Sequence, residues 1–243
     1  MLALAKNPLF FFDDDPDGLC AYMILSHFTR CGHGSMVKAK PYIDRSFLAK
    51  VEEYHPDLIV ILDVPSVEQE FIDAVKVPIV WVDHHQPLER PGALYVNPRQ
   101  FDLHANIPTT RLAYMISPKE EDIWIAMAGS VADYHLPDFT NEFIARYPDL
   151  LSPGQDIEQA RYDTEIGKIP RIITFLLKGR TSEVKKSIAI LTRLQSPYEL
   201  LHQETPAAKY LMKRYQTINR PYQRLLTRAK KVTPMGRILL FTY

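Results

Sequence analysis

Residues 8–18 read PLFFFDDDPDG: an apolar run of buried-strand type that stops on Asp13, followed at once by Asp14, Asp15, Pro16, Asp17 and Gly18. From Leu19 to Phe28 the apolar residues return with helical spacing. A short continuous apolar run marks a strand covered on both faces, and a helical pattern directly after it marks a βα unit. The pattern then recurs. Residues 58–64 (LIVILDV) form a second run, with a short helical pattern over Val67–Val75. Residues 78–82 (PIVWV) form a third, broken by Asp83, His84 and His85. Ala93–Val96 reads as a further strand, and helical patterns follow over Thr110–Ile116 and Glu121–Ala132. Strands alternating with helices predict an α/β fold on a mostly parallel sheet flanked by helices.

Beyond about residue 155 the strand signals stop, and residues 157–200 read as helices. From Ala207 a longer pattern places Leu211, Tyr215, Ile218, Tyr222, Leu225 and Ala229 three or four residues apart, one apolar stripe along a helix. Pro221 inside it is expected to kink or divide that helix. The chain closes on GRILLFTY (236–243), a strand-like segment. The expected organisation is an α/β domain over 1–155, a helical extension of it over 156–205, and a basic linker helix over 206–243 running into the start of a truncated C-terminal domain. The fold class is therefore α/β, followed by a helical, basic C-terminal region.

Composition narrows the function. The 243 residues carry 29 basic and 29 acidic side chains, a net charge of zero. That zero conceals a split: residues 1–160 hold 12 Lys+Arg against 24 Asp+Glu, leaving 17 against 5 for residues 161–243. Such asymmetry points to two halves with different tasks. Two cysteines, Cys20 and Cys31, exclude a disulfide framework and a Cys-only zinc site, and point to a reducing cytoplasm. No apolar run reaches the ~20 residues that span a bilayer, so no membrane partner is expected. The opening MLALAKNPLFFF is interrupted by Lys6, Asn7 and Pro8, and reads as the approach to a core strand rather than a signal peptide.

The three strongest apolar runs all end in aspartate: Asp13, Asp15 and Asp17 after the first, Asp63 in the second, Asp83 with His84 and His85 after the third. Open parallel sheets bind ligands beyond the carboxyl ends of their strands, so these side chains converge on one crevice. Asp133, at the end of a later helical segment, is placed to join them. So many carboxylates repel one another and raise one another's pKa unless cations lie between them. Oxygen ligands with one or two imidazoles suit Mn²⁺ or Mg²⁺, with Zn²⁺ a further candidate. Asp13-x-Asp15-x-Asp17-Gly18 also opens an EF-hand loop, but that reading needs a glutamate where Ile24 stands and a helix where a strand is read. Helix capping accounts for one of the three aspartates, not for all.

These residues resemble the four motifs of the DHH phosphoesterase superfamily. Asp-x-Asp-x-Asp-Gly at 13–18, the isolated Asp63, Asp83-His84-His85, and Gly129-Ser130-Val131-Ala132-Asp133 stand in the family's order over about residues 8–135. The Asp-led first motif and the form of the last are similar to the RecJ-like exonuclease branch. The resemblance implies two divalent ions, Mn²⁺ first and Mg²⁺ second. It places Asp15, Asp17, Asp63, His84 and Asp133 as their ligands, with Asp63 bridging both. Asp13 matches a position in or next to the ligand shell. His85 matches one that meets the scissile phosphate, so that Asp63, His84 and His85 form the catalytic set. Asp83 is better placed to orient a neighbouring imidazole than to bind metal. Asn97-Pro98 also fits the family pattern.

The implied chemistry is metal-assisted phosphodiester hydrolysis, in which two cations ~3.5–4 Å apart generate the nucleophile and neutralise the phosphate. Basic residues interleaved with aromatics suit single-stranded nucleic acid. Residues 201–243 contain 9 basic groups and one acid, Glu204, and Arg214, Arg220, Arg224 and Arg228 are the candidate contacts. Tyr215 and Tyr222 fall on the apolar stripe and are expected to be buried. DHH proteins usually carry a C-terminal domain with a glycine-rich, His-containing motif. No such run occurs among the 9 glycines here, so the chain is expected to be a fragment or to have lost that domain. The leading expectation is a RecJ-like exonuclease on single-stranded nucleic acid or short oligonucleotides, with replication or repair proteins as further partners. A phosphoesterase for cyclic dinucleotides, pyrophosphate or phosphorylated nucleotides is the second. A non-catalytic replication-complex scaffold ranks last, because every aspartate and both histidines are present. Oligomeric state, polarity of digestion and the choice of DNA or RNA stay open.

Overall fold

The opening apolar run becomes β1 (Pro8–Asp13) and the helical pattern after it α1 (Pro16–Thr29), in a computed structural model that describes residues 1–38, 40–233, 236–237 and 239–242. The first half continues as β2 (His33–Val37), β3 (Tyr42–Ile43), α2 (Leu48–Tyr54), β4 (Leu58–Leu62), β5 (Ser66–Val67), α3 (Gln69–Ala74), β6 (Ile79–Val82), β7 (Leu94–Val96), α4 (Thr109–Ile116) and α5 (Ile123–Ala132). Among the described residues only helices follow: α6 (Thr140–Arg146), α7 (Ile157–Tyr162), α8 (Glu165–Leu176), α9 (Thr181–Leu191), α10 (Pro197–Leu201) and α11 (Pro206–Ala229).

Five strands form one sheet in the order β2-β1-β4-β6-β7, and every neighbouring pair is parallel. Alternation along β1 sends Phe10 and Phe12 to one face and Leu9 and Phe11 to the other, all fully or almost fully buried. That double burial is why the strand is written as an unbroken apolar run. The larger core carries from Phe10 and Phe12 through Leu19 on α1, Trp124 on α5 and Ile172 on α8 to Leu211 on α11. The smaller one places Phe71 and Ile72 of α3, with Leu48 and Val51 of α2, against Ile59, Ile61 and Trp81. Two helical layers around a parallel sheet are the α/β arrangement that the alternation predicts.

Four local features depart from the sequence reading. β2 is an unexpected strand: its HGSMV has no apolar run, because a strand at the sheet edge buries only part of itself. Val67 belongs to β5, a two-residue parallel pairing with β3, and the helix expected from it begins at Gln69. α11 runs through Pro221 undivided over 24 residues; the carbonyl that proline leaves unpaired, four residues earlier, belongs to solvent-exposed Thr217. The strand expected over 236–243 is absent among its described residues Gly236, Arg237 and Leu239 to Thr242, while Ile238 and Tyr243 lie outside the described residues. Among the described residues no helix is long and apolar enough to cross a membrane.

Candidate metal centre

The register of the sheet aligns Phe12 with Leu62 and Leu62 with Val82, so β1, β4 and β6 end level with one another. The residues that follow are Asp13, Asp63 and Asp83. Asp63 takes a left-handed backbone (φ 62°), held by its N–H donating to the Val82 carbonyl at 3.0 Å. Aspartate tolerates that region better than most residues, and such conformations persist where surrounding structure enforces them. Three overlapping sets of ligand atoms result, each with its atoms within 4.8 Å of one another: Asp13, Asp15 and Asp63; Asp17, His84 and Asp133; Asp63, His84 and His85. Asp63 and His84 each belong to two of them. The sequence-predicted ligands Asp13, Asp15, Asp17, Asp63, His84 and Asp133 are thus brought together.

The spacing fits cations. His84 Nε2 lies 3.4 Å from an Asp63 oxygen, 3.5 Å from one of Asp133 and 3.8 Å from one of Asp17. These are wide for hydrogen bonds, whereas two oxygens bound to one Mg²⁺ at ~2.1 Å stand roughly 3 Å apart in octahedral geometry. The electrostatics agree. Burial first, then the neighbouring carboxylates, raise Asp63 well above the ordinary value; burial and then Asp15 push Asp17 up to about 8 and Asp13 to about 6. Burial lowers His84, which favours the neutral ring that a metal ligand must be. The donor set therefore fits one or two hard divalent ions.

Three of these carboxylates, Asp15, Asp17 and Asp63, are held from behind. Asp17 accepts the backbone N–H groups of Thr109 and Thr110, both at 2.8 Å, where α4 begins. The Thr109 hydroxyl donates to Asp63 Oδ1 at 3.0 Å, and the Thr110 hydroxyl to the Asp17 carbonyl at 2.8 Å. A helix N-terminus stabilises a carboxylate placed there, so α4 supports the Asp17 anion. Asp15 caps α1, accepting the Gly18 N–H at 2.9 Å through one oxygen and leaving the other for the site. Gly129 lets α5 close on this assembly: a Cβ there would stand 2.3 Å from the Thr110 hydroxyl and 2.8 Å from the Cys20 Cβ. Thr109 and Thr110 escape sequence reading because only the fold carries α4 to the start of α1; the signal available was Pro108 before two threonines at a helix start.

Asp83 stands behind the centre, fully buried and outside all three ligand sets. It accepts the His85 backbone N–H at 3.0 Å and faces the His85 Nδ1 at 2.7 Å, with Tyr95 Oη and Asn97 Nδ2 each at 3.2 Å. The imidazole it orients is therefore that of His85, whose Nε2 is left for the site. Burial lowers the His85 pKa, but the Asp83 hydrogen bond and the surrounding carboxylates outweigh it and the net shift is upward.

From Asp15 and Asp133 a cleft of about 540 Å³ opens, lined by Tyr134, Arg161, Tyr162, Arg171, Phe175 and Tyr222. The Arg161 guanidinium lies 4.1 Å from the Tyr134 ring centre and donates to the Val131 carbonyl at 3.0 Å. Tyr222 is 44% exposed and edge-on to Phe175 at 5.2 Å, not buried as the apolar stripe predicts, because the outer half of α11 runs past the core. Of the predicted basic contacts, Arg214 is turned into the protein, where it bonds the Leu176 and Lys178 carbonyls and the Ser187 hydroxyl. Arg220, Arg224 and Arg228 are exposed on α11 and do not line the cleft. Its cations are Arg161 and Arg171, on helices whose periodicity gives no sign that they border Asp133.

The family model described as DHH family, N-terminal domain, matches residues 9–136. A structure of RecJ in complex with Mn²⁺ from Thermus thermophilus superposes with a TM-score of 0.67 at 20% identity, covering 97% of this chain and 38% of that one. Exonuclease RecJ bound to manganese gives 0.62 at 18% identity, covering 93% of this chain and 64% of that one. The DHH domain of PF0399, described as a member of the s1p family of ribosomal proteins, gives 0.58 at 14% identity over 94% and 60%. At these identities the likeness is one of fold, and the chain spans less than two thirds of each of those proteins. No curated protein matches the sequence.

Proposed function

The chain belongs to the DHH family, whose N-terminal domain it carries over residues 9–136, and from that premise we propose that it is a metal-dependent phosphodiesterase acting on single-stranded nucleic acid or short oligonucleotides. The observation that carries the reading is the cleft that shares Asp15 and Asp133 with the carboxylate cluster and is lined by two arginines and four aromatic rings. Arginines neutralise phosphates and exposed rings stack on bases, the two elements of sequence-tolerant single-strand binding. Two divalent ions, Mn²⁺ or Mg²⁺, would be held by Asp13, Asp15, Asp17, Asp63, His84 and Asp133, and when bound they supply an activated water and positive charge at the scissile phosphate. The chain's own residues do the positioning. Asp63 reaches both halves of the ligand set, Thr109 and the start of α4 fix Asp63 and Asp17, and Asp83 holds His85 with Nε2 toward the phosphate. Arg161 and Arg171 take the next phosphates, and Tyr134, Tyr162 and Tyr222 the bases.

Asp63→Ala and His84→Ala should each abolish Mn²⁺-supported release of nucleotides from a labelled single strand while circular dichroism stays that of the parent. Near-normal turnover in either variant sinks the assignment. Cyclic dinucleotide and pyrophosphate belong in the same assay, since faster turnover of either makes the small-molecule reading the correct one.

A further inference from the structure

A second cleft, of about 500 Å³, lies along β2 at the end of the sheet and shares no residue with the metal centre. Its floor is apolar: Phe12 and Tyr22 stack with ring centres 4.4 Å apart, and Met36, Val184 and Ile188 extend it. β2 crosses Tyr22 at Gly34, where a Cβ would stand 2.5 Å from the phenol ring, so bare backbone lines the cleft at that point. Lys38, Lys50, Lys185 and Arg193 surround it, and none of its lining residues is acidic. Lys50 pairs with Glu53 and Lys38 donates to the Gly179 carbonyl at 3.2 Å; Lys185 and Arg193 have no ion pair among the described residues.

β2 pairs with β1 on one side, and among the described residues no backbone hydrogen bond joins its other side to any element. An open edge is a template for another strand, and proteins blunt it by shortness, proline, lysine or a bulge. β7, at the opposite end of the sheet, is three residues long and meets Pro98 two residues later. β2 is five residues long, HGSMV, with neither proline nor lysine inside it.

We propose that the β2 edge docks an extended acidic peptide segment of a partner protein, added as a further parallel or antiparallel strand. Alternate apolar side chains would seat on Tyr22, Met36 and Ile188, with carboxylates against Lys185 and Arg193. Strand addition draws affinity from main-chain pairing and specificity from the pockets that receive alternate side chains. A nucleic-acid strand would also answer the cations, but it has no ladder of alternating amide donors and acceptors for this edge. The proposal is independent of the metal centre and of the reaction assigned to it.

The test is fluorescence anisotropy on the full chain with fluorescein-labelled peptides that alternate glutamate with valine, isoleucine or leucine. At least one should bind saturably. Lys185→Glu with Arg193→Glu should weaken it tenfold or more at unchanged melting temperature. Replacing its glutamates by lysine, or N-methylating alternate amides, should abolish binding. Failure of the whole panel to saturate overturns the proposal, as does equal binding by the double variant or by the N-methylated peptide. Displacement by oligothymidylate that itself binds the parent and not the double variant would make the edge a nucleic-acid site instead.

Discussion

At the scale of single residues, the convergence of the candidate ligands is legible in the sequence and their supports are not. Asp13, Asp15, Asp17, Asp63, His84 and Asp133 announce themselves because each follows an apolar element whose end is visible in the sequence. Thr109 and Thr110 follow no such rule. Their role arises when α4, about ninety residues after β1 in the chain, sets its first turn against Asp17. Thr109 makes a double contact, its N–H to Asp17 and its hydroxyl to Asp63, so Thr109→Val keeps the backbone donor and removes only the Asp63 bond. Outer-shell partners of metal ligands typically contribute 10–100-fold in affinity. Mn²⁺ titration by calorimetry should therefore show a loss of that order with the fold intact. Unchanged affinity would leave Thr109 only its backbone bond to Asp17 as a part in the centre. Arg161 and Arg171 were illegible for the same reason: a helical pattern tells which face is apolar, not which neighbour the polar face meets.

At the scale of elements, apolar runs buried on both faces made β1, β4 and β6 readable, and the edge position of β2 made it unreadable. The helices report less of their arrangement, because their crossings depend on single small residues and polar ties. Gly129→Ala puts a methyl group into the Thr110 and Cys20 side chains; overpacking of this kind costs ~1–3 kcal/mol. A lower melting temperature should appear together with weaker Mn²⁺ binding, because Thr110 is displaced from Asp17. A second tie joins three helical segments: His27 on α1 meets Asp122 before α5 through Nδ1 at 2.7 Å and the Thr192 carbonyl after α9 through Nε2 at 2.8 Å. Both ring nitrogens face acceptors, which suits the protonated ring, and the Asp122 hydrogen bond raises the His27 pKa above its ordinary 6.5 against the opposing effect of burial. A raised histidine stabilises fully below its unfolded pKa, and that contribution is lost as pH rises through the folded value. His27→Gln should flatten the stability profile across that window and lower stability below it by about 1.5–3 kcal/mol, the range for hydrogen bonds to charged groups. Urea unfolding at a series of pH values reads both effects, and parallel profiles for parent and variant would assign the pH dependence elsewhere.

For the whole molecule, the net charge of zero separates into an acidic portion that builds the centre and a basic portion that supplies Arg161, Arg171 and the exposed face of α11. Without cations the acidic portion works against the fold. Burial and the neighbouring carboxylates raise Asp13 to about 6, Asp17 to about 8 and Asp63 well above its ordinary value, against 3.8 for a free aspartate. The folded chain then binds more protons than the unfolded chain between those values, so stability must fall as pH rises through that interval. Divalent ions take the place of those protons and release them, which offsets the repulsion most where the carboxylates would otherwise be charged and unpaired. The gain in melting temperature on adding Mn²⁺ should accordingly widen from roughly pH 5 to pH 8. Ligand linkage alone gives about 2.7 kcal/mol at a hundredfold excess over the dissociation constant. His27 titrates in the same direction, but it is remote from the centre and contributes equally with and without metal, so the difference between the two curves isolates the carboxylates. Scanning calorimetry of chelated and Mn²⁺-saturated protein measures that difference. A gain that is flat with pH would mean that the aspartates are already ionised in the metal-free fold, and that the centre is held open by its hydrogen bonds rather than by shared protons.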